Sequence, residues 1–255
     1  MVTFSTATTT MSQSRAPLAG FTAQLLLLTT LALTVGLSTW AWFAGVVFGA
    51  VLCGLLKVAL HRAGMTTLGW ANSVTLGRAI LTGGVTAMIV GSDASPLLIA
   101  AVAAVALAMD GVDGQVARRT GTTSALGARF DMEVDAFLIL VLSGAAAIEF
   151  GWWALAIGAF RYLFVVASWA LPWMNAALPP KFSRKVVAAQ QGVMLAVVVS
   201  GLLPTAFAVF ALAVALASLT WSFGRDIVWL HQVSRVRQVA GSRRPAPRAR
   251  ALATR

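Results

Sequence analysis

The chain has few of the residues from which soluble enzymes build surfaces and metal cages. It holds one cysteine and two histidines, and only 11% of its 255 residues are charged. One cysteine excludes an intrachain disulfide, and that cysteine with two histidines excludes a metal cluster built from Cys and His. Cys53 lies in an apolar run and reads as a small core hydrophobe. A soluble domain carries roughly 25% charged residues, so this chain lacks the charge to solvate an ordinary surface. With 59% hydrophobic residues and a mean hydropathy of +0.84, its solvent is lipid.

Acidic residues are scarcer still. Eight Asp and Glu stand against nineteen Lys and Arg, for a formal net charge of +11. That balance suits a protein meeting anionic lipid and phosphate-bearing substrates. Asp93, Glu149 and Asp226 fall near expected helix ends, whereas Asp110, Asp113, Asp131, Glu133 and Asp135 crowd into one short stretch.

What is abundant is apolar sequence in lengths near the ~20 residues that cross a hydrocarbon core. Two spans are expected at about 17–36 and 40–60, and six more at about 72–92, 95–118, 124–149, 152–172, 186–203 and 205–230. The first is too long for a signal-peptide core and shows no small-residue cleavage pattern, so it reads as a retained helix. Turn chemistry separates the spans. Gly91-Ser92-Asp93 precedes Pro96, Gly121-Thr122-Thr123-Ser124 follows the fourth span, and Pro179-Pro180 and Pro204 interrupt later runs.

Eight spans put both termini on one side, and the basic residues say which. With the N-terminus inside, the cytoplasmic loops collect Lys57, Arg62, Arg118, Arg119, Lys181, Arg184, Lys185 and the arginine-rich tail. The outer loops, near Trp40, Asp93, Gly151 and Pro204, contain no Lys or Arg. Trp40, Trp42, Trp152 and Trp153 are then expected at the outer interface, and Trp70, Trp169, Trp173, Trp221 and Trp229 near the inner one. The tail beyond Arg235, with Pro245 and Pro247 and little apolar content, reads as a disordered anchor on anionic lipid rather than a nucleic-acid site.

The acidic stretch carries the chemistry. Asp110 and Asp113 are three apart and share one helical face, as do Asp131 and Asp135, four apart, with Gly127 one further turn back. Two helices joined by a short turn are antiparallel neighbours, so both carboxylate pairs meet at one end. Four carboxylates in apolar surroundings repel unless a cation holds them. Oxygen-only ligands favour Mg²⁺ or Mn²⁺, with phosphate oxygens completing the shell. Gly114, Ala117 and Gly127 are small enough for a base or pyrophosphate to approach the backbone, although small residues also serve close helix packing. Arg118 offers bidentate donors to phosphate, while Arg119 reads as reaching the interface. Glu133 lies off the shared face and reads as a partner for a basic residue, not a metal ligand.

These residues resemble the signature of the CDP-alcohol phosphatidyltransferase family at every fixed position: Asp110, Asp113, Gly114, Ala117, Arg118, Gly127, Asp131 and Asp135. Asn72, Thr75 and Arg78 also open the third span as the family often begins. The resemblance implies an all-α integral-membrane protein with a six-helix transmembrane core, usually a homodimer, and an active site at the cytoplasmic end of the bundle. The chain then divides into a disordered cytoplasmic lead (1–16), two additional transmembrane helices (17–64), the six-helix core (65–232) and a disordered basic tail (233–255). The two extra helices depart from the commonest architecture.

The resemblance further implies transfer of a substituted phosphate from a CDP-alcohol to an acceptor hydroxyl, with CMP leaving, in a multi-pass protein of the cell membrane. Asp110, Asp113, Asp131 and Asp135 would hold the metal, Asp135 would also be the general base, and Gly114, Ala117, Arg118 and Gly127 would cradle the CDP. CDP-diacylglycerol is the expected donor, although the motif recognises CDP and leaves the alcohol open. For the acceptor, Arg161 within an apolar span, with Lys181, Arg184, Lys185 and the deeper Gln190 and Gln191, suggests an anion pocket for a phosphorylated alcohol. The alternative is a plain basic loop with Arg161 paired to a carbonyl or an acidic group. A divalent-cation transporter is a competing reading, but it would not need Gly114, Ala117, Arg118 and Gly127 at these spacings.

Overall fold

The computed structural model describes residues 11–12, 15–64, 67–68, 70–120, 125–176, 178–179 and 181–242; for 11–12, 15, 67–68, 70–71, 112–120, 125 and 236–242 it describes the backbone alone. Eight α-helices account for most of it: α1 (Arg15–Val35), α2 (Thr39–Arg62), α3 (Trp70–Gly91), α4 (Pro96–Thr120), α5 (Ala125–Phe150), α6 (Leu155–Ala170), α7 (Phe182–Val199) and α8 (Thr205–Ser242). A single 3₁₀ turn leads into α6 and another, Pro172–Asn175, follows it. The fold is all-α apart from a two-residue antiparallel pair, Met11–Ser12 with Thr67–Leu68. The lead expected to be disordered to residue 16 is thus ordered at its end, where that pair and the start of α1 occupy part of it.

Helices α3 to α8 share one core. Val85 and Met88 of α3, Ala103 and Ala106 of α4, Leu138 and Leu142 of α5, Ile157 of α6, Leu195 of α7 and Leu212 of α8 are all buried in it. The preceding pair packs differently. Helices α1 and α2 lie against each other and against α3 through two small clusters, one around Leu56, Leu60 and Leu76 and one around Leu28, Ala41 and Ala87. The architecture is therefore a six-helix core with two added helices docked on α3.

That docking is also secured by backbone bonds at one end. Gly36 takes a left-handed φ of 61° to end α1, a conformation open to glycine without a Cβ clash. Ser38 caps α2 by accepting from the Ala41 N–H at 3.2 Å. Around this turn the Ser38 N–H donates to the Gly91 carbonyl and the Asp93 N–H to the Val35 carbonyl, each at 2.9 Å. The α1–α2 and α3–α4 turns are thereby joined, and the opposite end of the bundle is left to the acidic motif.

Among the described residues, six helices are long and apolar enough to cross a membrane: α1, α2, α3, α6 with its leading 3₁₀ turn, α7 and α8. The sequence suggested eight spans, and α4 and α5 are the two not counted among these six. Helix α4 is apolar over its described side chains, Pro96–Gly111, with Asp113, Arg118 and Arg119 following in the sequence, and α5 begins with Arg129, Asp131, Glu133 and Asp135. Each of these helices gives one end to charged residues. Helix α8 differs in the other direction. Its 38 residues at 1.5 Å each exceed the ~30 Å hydrocarbon thickness by almost twofold. It runs on through Ser242, past residue 233 where the disordered tail was expected, because no proline interrupts it before Pro245. Asp226, expected near a helix end, consequently lies well inside α8 and is buried.

Candidate active site

The site is built where α3 begins, α4 ends and α5 begins. Helix α3 packs on both α4 and α5, so a side chain from its first turns faces the ends of the other two. Arg78 is that side chain, and it is completely buried. Thr75 and Asn72, about one and two turns earlier on the same helix, are buried too.

Arg78 meets three carboxylates. Its Nη1 donates to Asp110 Oδ1 at 2.7 Å. Its Nη2 donates to Asp131 Oδ1 and also to the Asp131 backbone carbonyl at 3.3 Å. Asp135 Oδ1 lies 3.1 Å from the same nitrogen. The carboxylates are 46%, 34% and 34% exposed while the guanidinium has no exposure. The site is therefore sealed on the arginine side and open on the carboxylate side.

Asp110, Asp131 and Asp135 each present an oxygen within 4.8 Å of the others. Three carboxylates that close repel one another, and an all-oxygen donor set of this kind suits a hard divalent cation. The residues present therefore fit a metal. The backbone of α4 carries Asp113, Gly114, Ala117 and Arg118 through the next turns, but their side chains lie outside the described residues. Gly127 sits one turn before Asp131 on α5, on the helical face that the spacing assigned to it.

The remaining candidates are dispersed. Glu133 pairs with Arg161 of α6 at 2.5 Å, the basic partner anticipated for it. Arg184 donates to the Pro179 carbonyl, and its Nε lies 3.5 Å from the buried Asp226 of α8. Arg225 donates to Ser183 at 2.9 Å, so two polar links fasten the start of α7 to α8. Lys181 occupies the N-cap position of α7, and Lys185 lies in its first turns. Gln191, placed by the sequence in an anion pocket, instead donates to the Ala215 carbonyl at 2.9 Å and to Ser218 at 3.2 Å. Arg161 and Arg184 thus sit in separate ion pairs, one on α5 and one on α8.

Compared with known protein families, residues 68–225 match the CDP-alcohol phosphatidyltransferase family. The chain belongs to that family. The matched segment begins where the β-pair leads into α3 and runs into the buried part of α8, so it contains the shared six-helix core and the carboxylate site. No curated protein and no solved structure gives a significant match to the chain. Membership makes the protein a CDP-alcohol phosphotransferase in general terms. The family is generally dependent on a divalent metal, and the aspartate cluster is a place that can hold one.

Sequence reasoning gave Arg78 no role beyond opening the third span. The signal was present, because an arginine two turns into an apolar span needs a partner and marks function by default. Arg161 stands in an apolar span in the same way. What the sequence lacked was the packing of α3 against α5, which makes the carboxylates its partners.

Proposed function

We propose that the protein transfers a phosphatidyl group from CDP-diacylglycerol to the hydroxyl of an acceptor alcohol, releasing CMP, as a step in phospholipid synthesis. The observation that carries this reading is the meeting of Asp110, Asp131 and Asp135 at one end of the helical core, in a chain of this family. A membrane-embedded site suits a donor whose diacylglycerol tails stay in lipid while its diphosphate reaches the polar end of the bundle.

Asp110, Asp113, Asp131 and Asp135 would hold Mg²⁺ or Mn²⁺, which would supply positive charge for the diphosphate and for the departing CMP. Asp135 is the general base. It removes the proton from the acceptor hydroxyl, whose oxygen bonds to the lipid-bearing phosphorus as the bond from that phosphorus to the CMP oxygen breaks. Gly114, Ala117, Arg118 and Gly127 hold the CDP moiety, Arg118 by paired donors to phosphate. Arg161, Lys181, Arg184 and Lys185 serve the acceptor, and a phosphorylated alcohol such as glycerol 3-phosphate or inositol phosphate suits their charge. Basic loops on the same side as the motif support a cytoplasmic active site in the cell membrane, and the family resemblance supports a homodimer.

The test is CMP release from CDP-diacylglycerol by the purified full chain, with a panel of phosphorylated and neutral acceptors and lipid products identified. Release with one acceptor, lost on chelation, is expected. Absence of CMP release with every acceptor and metal would overturn the assignment.

A further inference from the structure

We propose that Arg78 is a resident cation of the carboxylate site, holding the aspartates together when no divalent ion is bound and lowering the affinity with which that ion binds. The inference rests on reading the cluster as a divalent-ion site and adds a positioning residue to it.

Three observations carry it. First, Arg78 reaches aspartates from two helices, contacting Asp110 of α4 and both Asp131 and Asp135 of α5 from its own place on α3. A planar guanidinium with five donors can bridge several carboxylates in this way, whereas an ammonium offers a single charged point. Second, Arg78 has no solvent exposure, so its charge depends on protein groups for compensation. A buried cation leaves water only when partners replace the lost solvation. Third, the partners are the same three residues whose oxygens cluster within 4.8 Å.

Charge decides the consequence. The three carboxylates that Arg78 is seen to contact carry −3 alone and −2 with the guanidinium. The arginine relieves their repulsion, and the same positive charge opposes an incoming divalent cation. Arg78 and the ion are therefore anticooperative: each stabilises the cluster more when the other is missing. A carboxylate has two oxygens, so contact through Oδ1 does not by itself displace Arg78 when an ion binds.

The experiment uses the purified full chain in detergent or lipid nanodiscs, titrated with Mn²⁺ and followed by the electron paramagnetic resonance signal of free Mn²⁺. Unfolding is followed by tryptophan fluorescence, with and without Mn²⁺. Arg78→Gln is expected to bind Mn²⁺ about ten-fold more tightly than the parent, because a like charge has been removed from the site. In chelator its unfolding midpoint should drop by about 5 °C or more, and saturating Mn²⁺ should close most of that gap. Arg78→Lys should keep near-parental Mn²⁺ affinity because charge is retained. Its midpoint in chelator should fall because the fork is lost, again with partial rescue by Mn²⁺.

Unchanged or weaker Mn²⁺ binding in Arg78→Gln, or a midpoint gap that Mn²⁺ does not narrow, would show an ordinary structural ion pair and overturn the proposal. If Arg78→Gln does not fold, Arg78→Lys decides the matter by the same rescue: a gap independent of Mn²⁺ overturns it. A parent protein that binds no Mn²⁺ overturns both this inference and the metal-site reading. Parental binding with a flat response in the variants overturns this inference alone.

Discussion

Glu133 and Arg161 form an ion pair at 2.5 Å between α5 and α6, although Glu133 lies between two aspartates of the active-site cluster. Successive helical residues turn by about 100°, so a residue two places from Asp131 and from Asp135 faces away from both. The pair is partly exposed, 57% on the glutamate and 25% on the arginine. An exposed pair of this kind is worth no more than about 1 kcal/mol. Arg161→Gln should therefore shift the unfolding midpoint little, and an effect on acceptor use can be read without interference from misfolding.

The expected result for Arg161→Gln is a rise of about ten-fold or more in KM for a phosphorylated acceptor, from loss of a charge-assisted bond worth about 1.5–3 kcal/mol. KM for CDP-diacylglycerol should stay close to parental. Steady-state kinetics with each substrate varied in turn makes the comparison. An unchanged acceptor KM in the double variant Arg161→Gln/Arg184→Gln would remove the basic residues from the acceptor site.

Asp135→Asn keeps the shape of the side chain and removes its ability to take a proton. Turnover should fall by about 10²–10⁴, the range for loss of a general base. CDP binding, measured by calorimetry, should change only a few-fold, because Asp110 and Asp131 retain their places on α4 and α5. Near-normal turnover in this variant would sink the assignment of Asp135 as base.

Metal withdrawal tests the same cluster from another side. CMP release should disappear after treatment with a chelator and return with Mg²⁺ or Mn²⁺. Zn²⁺ should restore it poorly, since the donor set is all oxygen and contains neither thiolate nor imidazole. Full activity after exhaustive chelation would contradict the metal role of the aspartates.

The helices and the aspartates were legible in the sequence because both depend on local spacing. Pairs three and four apart fix a shared face, and a short turn fixes two antiparallel neighbours, so Asp110, Asp131 and Asp135 could be brought together on paper. Arg78 could not be placed there, because its partners lie on helices reached only through the packing of α3. Arg184 shows the same limit. Its basic neighbourhood was legible, whereas its buried partner Asp226 depends on the packing of α7 against α8, which no local spacing encodes. The division between α1–α2 and the core was readable as a count of helices. The backbone bonds that dock the pair, from Ser38 to Gly91 and from Asp93 to Val35, were not, since they join turns far apart in the chain.

The approach of α6 to α5 gives a prediction about stability. At Gly158 of α6 a Cβ would fall inside van der Waals contact of the Leu140 Cα and the Ser143 Oγ on α5, and only 3.0 Å from the Leu140 backbone nitrogen. Backbone cannot rotate aside as a side chain can, so Gly158→Ala should force the two helices apart at a cost of about 1–3 kcal/mol. Gly144→Ala on α5 is the matched comparison, because a Cβ there meets nothing within 4 Å. That variant should be neutral or more stable by up to about 1 kcal/mol, as alanine is the better helix former. Since α5 carries Asp131 and Asp135 while α6 carries Arg161, separation at Gly158 should also lengthen the Glu133–Arg161 contact and weaken acceptor use before it weakens CDP binding. Unfolding midpoints of the two alanine variants, read beside their KM values, test both parts. Equal midpoints would mean that α5 and α6 do not make this close contact.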